Sequence, residues 1–151
     1  MDIRLGHLEH PAVLALLQEH LNDMYKTSPK ESVHALDMDG LNNPAIRFYT
    51  VWHAEQLLGC GAIKRHDHAL CEVKSMRVAK AFQRQGVARK LLARMLDDAR
   101  CEGYRVVALE TGSQPFFAAA HALYRRFGFL ECAPFADYRL DPNSCFMQLT
   151  L

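Results

Sequence analysis

The sequence predicts a mixed α/β (α+β) fold, a mostly antiparallel sheet with helices on both faces, in a single domain spanning residues 1–151. Three observations predict it. Strand-like segments between residues 47 and 78 follow one another across very short connections, as antiparallel hairpins do. Two amphipathic helical stripes then alternate with further strands, the pattern of β-α-β units. The chain has 151 residues, half of them apolar and 23% charged, which suits one folded domain and argues against disorder.

The elements can be justified in order. Ile3 to Leu8 alternates apolar and polar residues, which suits a half-buried strand. Pro11 is placed to open a helix, and Val13, Leu16, Leu17, Leu21 and Met24 recur at helical spacing through Tyr25. Residues 26–45, with their Pro, Asn, Ser and Gly, read as loop with one short helix near Ser32 to Met38. Arg47 to His53 is rich in aromatic and β-branched residues and predicts a strand. Leu57 to Lys64 and Leu70 to Val78 continue the meander.

From Gly86 to Glu102 the apolar positions are Val87, Ala88, Leu91, Leu92, Met95, Leu96 and Ala99, a stripe every four residues that ends at Gly103. Val106 to Glu110 is a nearly continuous apolar strand, as expected where both faces are covered. Phe116, Phe117, Ala120, Leu123, Tyr124 and Phe127 form a second helical stripe, closed by Gly128. Strands near Phe129 to Ala133 and Cys145 to Leu151 complete the order β-α-(α)-β-β-β-α-β-α-β-β.

Several functional classes drop out. Runs such as Val13 to Leu17 and Phe116 to Ala120 are far short of the ~20 apolar residues of a membrane span. The N-terminus MDIRLGHLEH lacks the apolar stretch of a signal peptide. The five cysteines are odd in number, widely spaced and without C-x-x-C, which fits free thiols in a reducing cytoplasm. His66-x-His68 is the nearest approach to a metal-ligand pair and lacks further ligands, so no metal is expected.

Net charge is +1, yet the charges are uneven. Residues 74–105 hold Lys74, Arg77, Lys80, Arg84, Arg89, Lys90, Arg94, Arg100 and Arg105 against only Asp97, Asp98 and Glu102. A small polyanion explains that concentration better than nucleic acid, which calls for a wider basic face. For Arg94 and Arg100 a solvated helix face suffices. The loop between the strand ending near Val78 and the helix after Gly86 sharpens the reading. Bare N–H groups at a helix start favour phosphate, and Gly86 lets backbone approach a ligand because no Cβ intervenes.

Gln83-Arg84-Gln85-Gly86-Val87-Ala88 resembles the Q/R-x-x-G-x-G/A motif of the GCN5-related N-acetyltransferases (GNAT). The flanking strand and helix and the later Tyr124-Arg-Arg-Phe-Gly128-Phe129 stand where that family has them, and the element order fits along the whole chain. Glu72-Val-Lys-Ser-Met-Arg-Val and Leu109-Glu-Thr-Gly-Ser-Gln-Pro115 resemble small bacterial members. The resemblance implies acetyl-coenzyme A as co-substrate. Its pyrophosphate would meet backbone N–H groups of Arg84, Gln85, Gly86, Val87, Ala88 and Arg89. Its pantetheine arm would pair with Met76, Arg77 and Val78 like an added strand.

Acetyl transfer to an amine needs a proton acceptor for the ammonium, a donor for the developing oxyanion and a proton for the leaving thiolate. The resemblance makes Glu72 the candidate base, Tyr124 the candidate acid and the N–H near Val78 the oxyanion donor. Glu72 lies six residues before Val78, which on an ideal strand puts it on one face with Lys74, Met76 and Val78. The bland alternatives are an ion pair of Glu72 with Lys74 or an arginine, and a core role for Tyr124. His121 is a second proton-carrier candidate. The acceptor pocket falls on His34 to Gly40 and Phe135 to Asp141, where Asp37, Asp39, Asp137 and Tyr138 either bind an ammonium or cap turns. Glu110 and Thr111 are alternatives, and Trp52 suits the core. The expectation is therefore an N-acetyltransferase acting on a small or amino-acid-like primary amine, with a non-catalytic acyl-coenzyme A-binding module as the alternative. No nucleic-acid or membrane partner is expected, and the oligomeric state stays open, a homodimer included.

Overall fold

The computed structural model describes residues 1–151. Seven strands form one sheet in the order β1-β2-β3-β4-β5-β7-β6. They are β1 (Asp2–Leu5), β2 (Ile46–His53), β3 (Gln56–Arg65), β4 (Leu70–Val78), β5 (Val106–Gly112), β6 (Leu130–Glu131) and β7 (Ser144–Thr150). Every neighbouring pair is antiparallel except β4–β5, which is parallel. That exception follows from the crossover helix between them. The expected mixed, mostly antiparallel architecture is therefore the observed one. No helix is long and apolar enough to cross a membrane.

Four helices cover the sheet: α1 (Pro11–Thr27), α2 (Met38–Leu41), α3 (Val87–Cys101) and α4 (Ala118–Arg126). Val13, Leu16 and Leu17 of α1 join Leu41 of α2 and Phe48, Trp52, Leu57, Cys60 and Ala62 of the sheet in one core cluster. Leu91, Leu92, Met95, Leu96 and Ala99 of α3 join Tyr124 of α4 and the opposite sheet face in a larger one. Each fully buried Leu or Met contributes roughly 1.5–3 kcal/mol through lost apolar exposure. Trp52 is a core residue, 1% exposed, with its indole N–H donated to Thr50 Oγ1 at 2.7 Å.

Three local expectations shift. β1 ends at Leu5 because Gly6 and His7 both take left-handed backbone angles (φ 83° and 69°). The short helix expected near Ser32 to Met38 is instead a 3-10 turn at Lys30–Ser32 followed by α2. Asp37 fixes that start, its Oδ1 accepting the Gly40 N–H at 2.8 Å. β6 keeps only two residues.

The deviation with functional weight lies in β4. Cys60 pairs with Arg77 and Ala62 with Lys74, so three steps along β4 oppose two along β3. The extra residue is Ser75, whose φ of 55° is left-handed. Such a β-bulge shifts the alternation of every side chain beyond it. Cys71, Val73, Met76 and Val78 consequently pack towards α3. Arg77 turns to the other face, where its Nη2 pairs with Asp23 (2.7 Å) and Glu19 (2.8 Å) of α1. The ideal-strand expectation is thus corrected: Glu72 shares a face with Lys74 and Arg77, opposite Met76 and Val78.

Beyond the bulge β4 and β5 separate. Their parallel pairing runs only from Leu70–Val106 to Val73–Leu109. β4 continues beside β3 to Val78, and β5 continues beside β7 to Gly112. Gly59 lets β3 follow the diverging strand closely, since a Cβ there would lie 2.8 Å from the Arg77 carbonyl oxygen. Gly59→Ala should therefore destabilise the protein by about 1–3 kcal/mol, the scale of overpacking against a backbone that cannot yield. A lower urea midpoint at unchanged m-value is the expected result. An unshifted midpoint would mean that β3 and β4 can part there at no cost.

Candidate active site

The gap between the ends of β4 and β5 opens into a cavity of about 250 Å³. Its walls come from α1, the loop after it, the two diverging strands, and α4 with the turn before it. The cavity has two chemically different ends.

One end leads to the loop before α3. Arg84 and Gly86 both have left-handed backbone angles (φ 63° and 82°). Residues of alternating hand turn successive N–H groups into one concavity, a nest for anions. Gly86 is the N-cap of the 15-residue α3, so the unpaired N–H groups of the first helical turn and the positive end of its dipole face the same space. No atom of the chain lies within 4 Å of where a Gly86 Cβ would sit, so that volume is free for a ligand. Gln83 lines the cavity and joins it to the loop, while Arg84, Gln85 and Arg89 are exposed and Val87 anchors the helix start in the core. These features fit a pyrophosphate. The adjoining residues Met76, Arg77 and Val78 have no β5 partner, which leaves one edge of their backbone for an extended ligand.

Tyr124 brings a phenol to the same cleft. It is 5% exposed, lines the cavity and rests edge-on against Phe129 at 5.5 Å. Burial alone holds its phenol well above the ordinary tyrosine range, so it is a protonated donor at neutral pH. His121 takes another direction. Its Nε2 lies 2.6 Å from Thr111 Oγ1 and 3.1 Å from the Gly112 carbonyl oxygen, which ties α4 to the end of β5.

The other end of the cavity is polar. Glu72 is 1% exposed. Its Oε1 accepts from His66 Nε2 at 2.8 Å, and its Oε2 accepts from Lys74 Nζ at 3.2 Å and from the Tyr138 hydroxyl at 2.6 Å. Lys74 also donates to the Tyr138 oxygen at 2.8 Å. Burial and the Glu72 carboxylate keep the Tyr138 phenol protonated. Both the ion pair and the cleft position anticipated for Glu72 are therefore present together.

Glu110, at the end of β5, lines the same cavity and differs from Glu72 in one respect. No cation lies in salt-bridge contact with it. Burial raises its pKa to about 7, with the nearby Ser144 hydroxyl and the Lys74 charge pulling down and the Glu72 charge pushing up. The sequence placed Glu110 among several alternatives. Its position where the last strand pairing with β4 has ceased was the available signal, but its isolation from cations depends on packing. Asp37 serves as a helix cap and Asp39 is exposed. Asp141 accepts from Ser32 Oγ at 2.6 Å and so ties the C-terminal loop to the loop after α1. His34 stacks edge-on against Tyr138 at 5.0 Å within that seam.

Residues 13–129 match the model of the acetyltransferase (GNAT) family. An uncharacterized N-acetyltransferase of Escherichia coli, YedL, is 48% identical over 99% of this chain and 94% of its own. One from Bacillus subtilis, YsnE, is 44% identical over 97% of both. An IAA acetyltransferase of Azospirillum brasilense is 39% identical over 93% of this chain and 91% of its own. Among solved structures, a putative acyl-CoA N-acyltransferase from Klebsiella pneumoniae superposes with a TM-score of 0.79 at 26% identity, covering 99% of this chain and 97% of that one. A GNAT family acetyltransferase from Elizabethkingia anophelis with acetyl-CoA bound shares the fold at 17% identity and a TM-score of 0.69, covering 99% and 97%.

Gly86→Val places a branched side chain in the open volume at the helix mouth. Coenzyme A affinity measured by calorimetry should fall at least about tenfold, the loss of one or more charge-assisted hydrogen bonds. Some stability is lost as well, because a left-handed angle costs a β-branched residue about 1–2 kcal/mol. Unchanged affinity in the folded variant would show that this loop does not hold the pyrophosphate.

Proposed function

The chain belongs to the acetyltransferase (GNAT) family and is an acetyl-coenzyme A-dependent N-acetyltransferase; we propose that it acetylates a primary amine of a small, amino-acid-like acceptor by direct attack on the thioester. The observation that carries this reading is one cavity lined together by Glu72, Glu110, Tyr124 and the unpaired stretch Met76, Arg77 and Val78, with Gln83 leading from it to the left-handed loop before α3.

Bound acetyl-coenzyme A supplies the activated acetyl group. The N–H groups from Arg84 to Arg89 hold its pyrophosphate, and the open backbone edge of Met76, Arg77 and Val78 pairs with the pantetheine amides. The acceptor enters at the polar end as an ammonium, which a carboxylate must deprotonate. Glu72 was the candidate from sequence, yet both its oxygens are engaged by His66, Lys74 and Tyr138. Glu110 has no cation in contact, only the Ser144 hydroxyl beside it, and a pKa near the working pH, the condition for an efficient general base. We therefore assign the proton to Glu110 and to Glu72 the task of holding Lys74 in a buried site. The amine nitrogen then bonds to the acetyl carbon while a backbone N–H near Val78 stabilises the charge on oxygen. As the carbon–sulfur bond breaks, Tyr124 donates its proton to the thiolate. A module that only bound the coenzyme would need neither Tyr124 nor an unpaired Glu110.

Tyr124→Phe keeps the ring and its packing on Phe129 but removes the proton. In a thiol-release assay turnover should fall by about ten- to ten-thousandfold, the span of general acid–base effects, with coenzyme affinity nearly unchanged. Full turnover in this variant would return Tyr124 to a packing role.

The two carboxylates separate in a pH–rate profile. With wild-type protein kcat/KM should rise through about pH 7 as Glu110 ionises. Glu110→Gln should abolish that limb, whereas Glu72→Gln should retain it and mainly lower stability by stranding Lys74. Loss of the limb in Glu72→Gln alone would reverse the assignment. Stability gives an independent check. Glu110 binds its proton more tightly folded than unfolded, so its contribution is full below about pH 4.5 and is lost as pH rises through 7. The melting temperature of Glu110→Gln should therefore gain on wild type between pH 5 and pH 8.

A further inference from the structure

Three buried polar atoms on the α1 side of the cleft have no hydrogen-bond partner: His20 Nδ1, Ser75 Oγ and Arg77 Nε. Their residues are 9%, 8% and 8% exposed, and all three line the cavity that holds Glu72, Glu110 and Tyr124. Buried polar atoms without partners cost about 1–3 kcal/mol each, and three around one cavity are unusual. None arises from poor local design. His20 stands in the apolar stripe of α1 behind Val13, Leu16 and Leu17. Ser75 is the bulge residue itself, and Arg77 is turned to this face by the same bulge.

The donor inventory narrows what such a group can be. Arg77 Nε is a donor only, Ser75 Oγ can donate, and His20 Nδ1 donates or accepts according to tautomer. The complement is an oxygen acceptor. Charge narrows it further. The Arg77 guanidinium already carries the carboxylates of Glu19 and Asp23, and Lys74 carries that of Glu72. Two carboxylates, Glu72 and Glu110, line the chamber with the buried cations Lys74 and Arg77; Glu19 and Asp23 add two more behind Arg77, outside the lining, and Lys80 beyond Glu19 is exposed to solvent. His20 is neutral, burial having lowered its pKa to about 4. A third carboxylate on Arg77 would be repelled by Glu19 and Asp23, whereas an uncharged carbonyl oxygen would not. The ammonium of an acceptor is favoured by the same excess of negative charge.

Building on the transferase reading above, we propose that His20, Ser75 and Arg77 form an acceptor subsite for a neutral carbonyl, so that the substrate class is an α-amino amide: a primary amine next to an amide carbonyl, as in an amino-acid amide or the first residue of a peptide. The amine faces Glu110 and the carbonyl faces the three unpartnered groups. A free amino acid presents a carboxylate where this subsite wants a neutral oxygen.

The test is steady-state acetylation of three amines of similar size by the intact protein: an amino-acid amide, the amine that lacks its carbonyl, and the free amino acid, with kcat/KM expressed per unprotonated amine. The amide should exceed the plain amine by about 10- to 100-fold, since each buried partner left unpaired costs about tenfold, and the free acid should rank last. Ser75→Ala and His20→Leu, each checked by thermal melting, should reduce the amide-to-amine ratio by about tenfold. A tripeptide with the same first residue then distinguishes the two sources: comparable rates identify a peptide N-terminus, and much lower rates a free amide, either keeping the subsite. A ratio near one in the wild type, a preference for the free acid, or a ratio untouched in both folded variants would overturn the proposal. Acetylation of none of the amines, with coenzyme A still bound, would instead overturn the transfer reading on which this rests.

Discussion

The parallel hydrogen bonds between β4 and β5 stop at Val73 and Leu109, and nearly everything functional follows from where they stop. Each strand stays bound on its outer side, β4 to β3 and β5 to β7, so the sheet divides into two halves without losing its remaining ladders. The division leaves backbone groups of β4 unpaired in a protected cleft. Unpaired backbone is costly when buried, and it becomes useful when an extended ligand completes the pairing. The bulge at Ser75 sets the geometry, since one extra residue both bends the strand and reassigns its side chains.

The reassignment links fold to chemistry. Had β4 alternated regularly, Arg77 would face α3 and its apolar core, where no carboxylate waits. The bulge delivers it to Glu19 and Asp23 instead, and these pairs tie α1 to the strand that borders the cleft. Arg77 is buried while Glu19 and Asp23 keep contact with solvent, so these pairs serve to satisfy the buried guanidinium at the wall of the cleft. Met76 and Val78, now on the α3 side, help seat the helix whose N-terminus makes the anion nest.

Electrostatic order in the cleft comes from unequal treatment of two carboxylates. Glu72 is surrounded by His66, Lys74 and Tyr138, so its charge is satisfied inside the protein. Glu110 has burial without a cationic contact, and its pKa rises towards neutrality. The two lie on adjacent strands at the point where those strands part. Burial without a cation in contact is what brings the Glu110 proton equilibrium to the range where it can serve in catalysis. The seam between Ser32 and Asp141 and the packing of His34 on Tyr138 close the polar end.

Much of this was legible in the residues. Periodicity located the strands and helices because α3 and α4 each bury one stripe and the meander strands carry β-branched and aromatic residues. The Gln83 to Ala88 loop was legible because glycine at a helix mouth has a local backbone reason. Tyr124 was visible through its spacing from Gly128 and Phe129. What tertiary structure decided was the phase of β4. A bulge arises from how two strands pair, not from one strand's composition, so counting six residues from Glu72 to Val78 placed it on the wrong face. The same holds for the partners of Glu72, since His66, Lys74 and Tyr138 reach it from a turn, its own strand and a loop 66 residues away. Whether a carboxylate is paired or left alone in a cleft depends on these distant approaches, and local sequence carries no record of them.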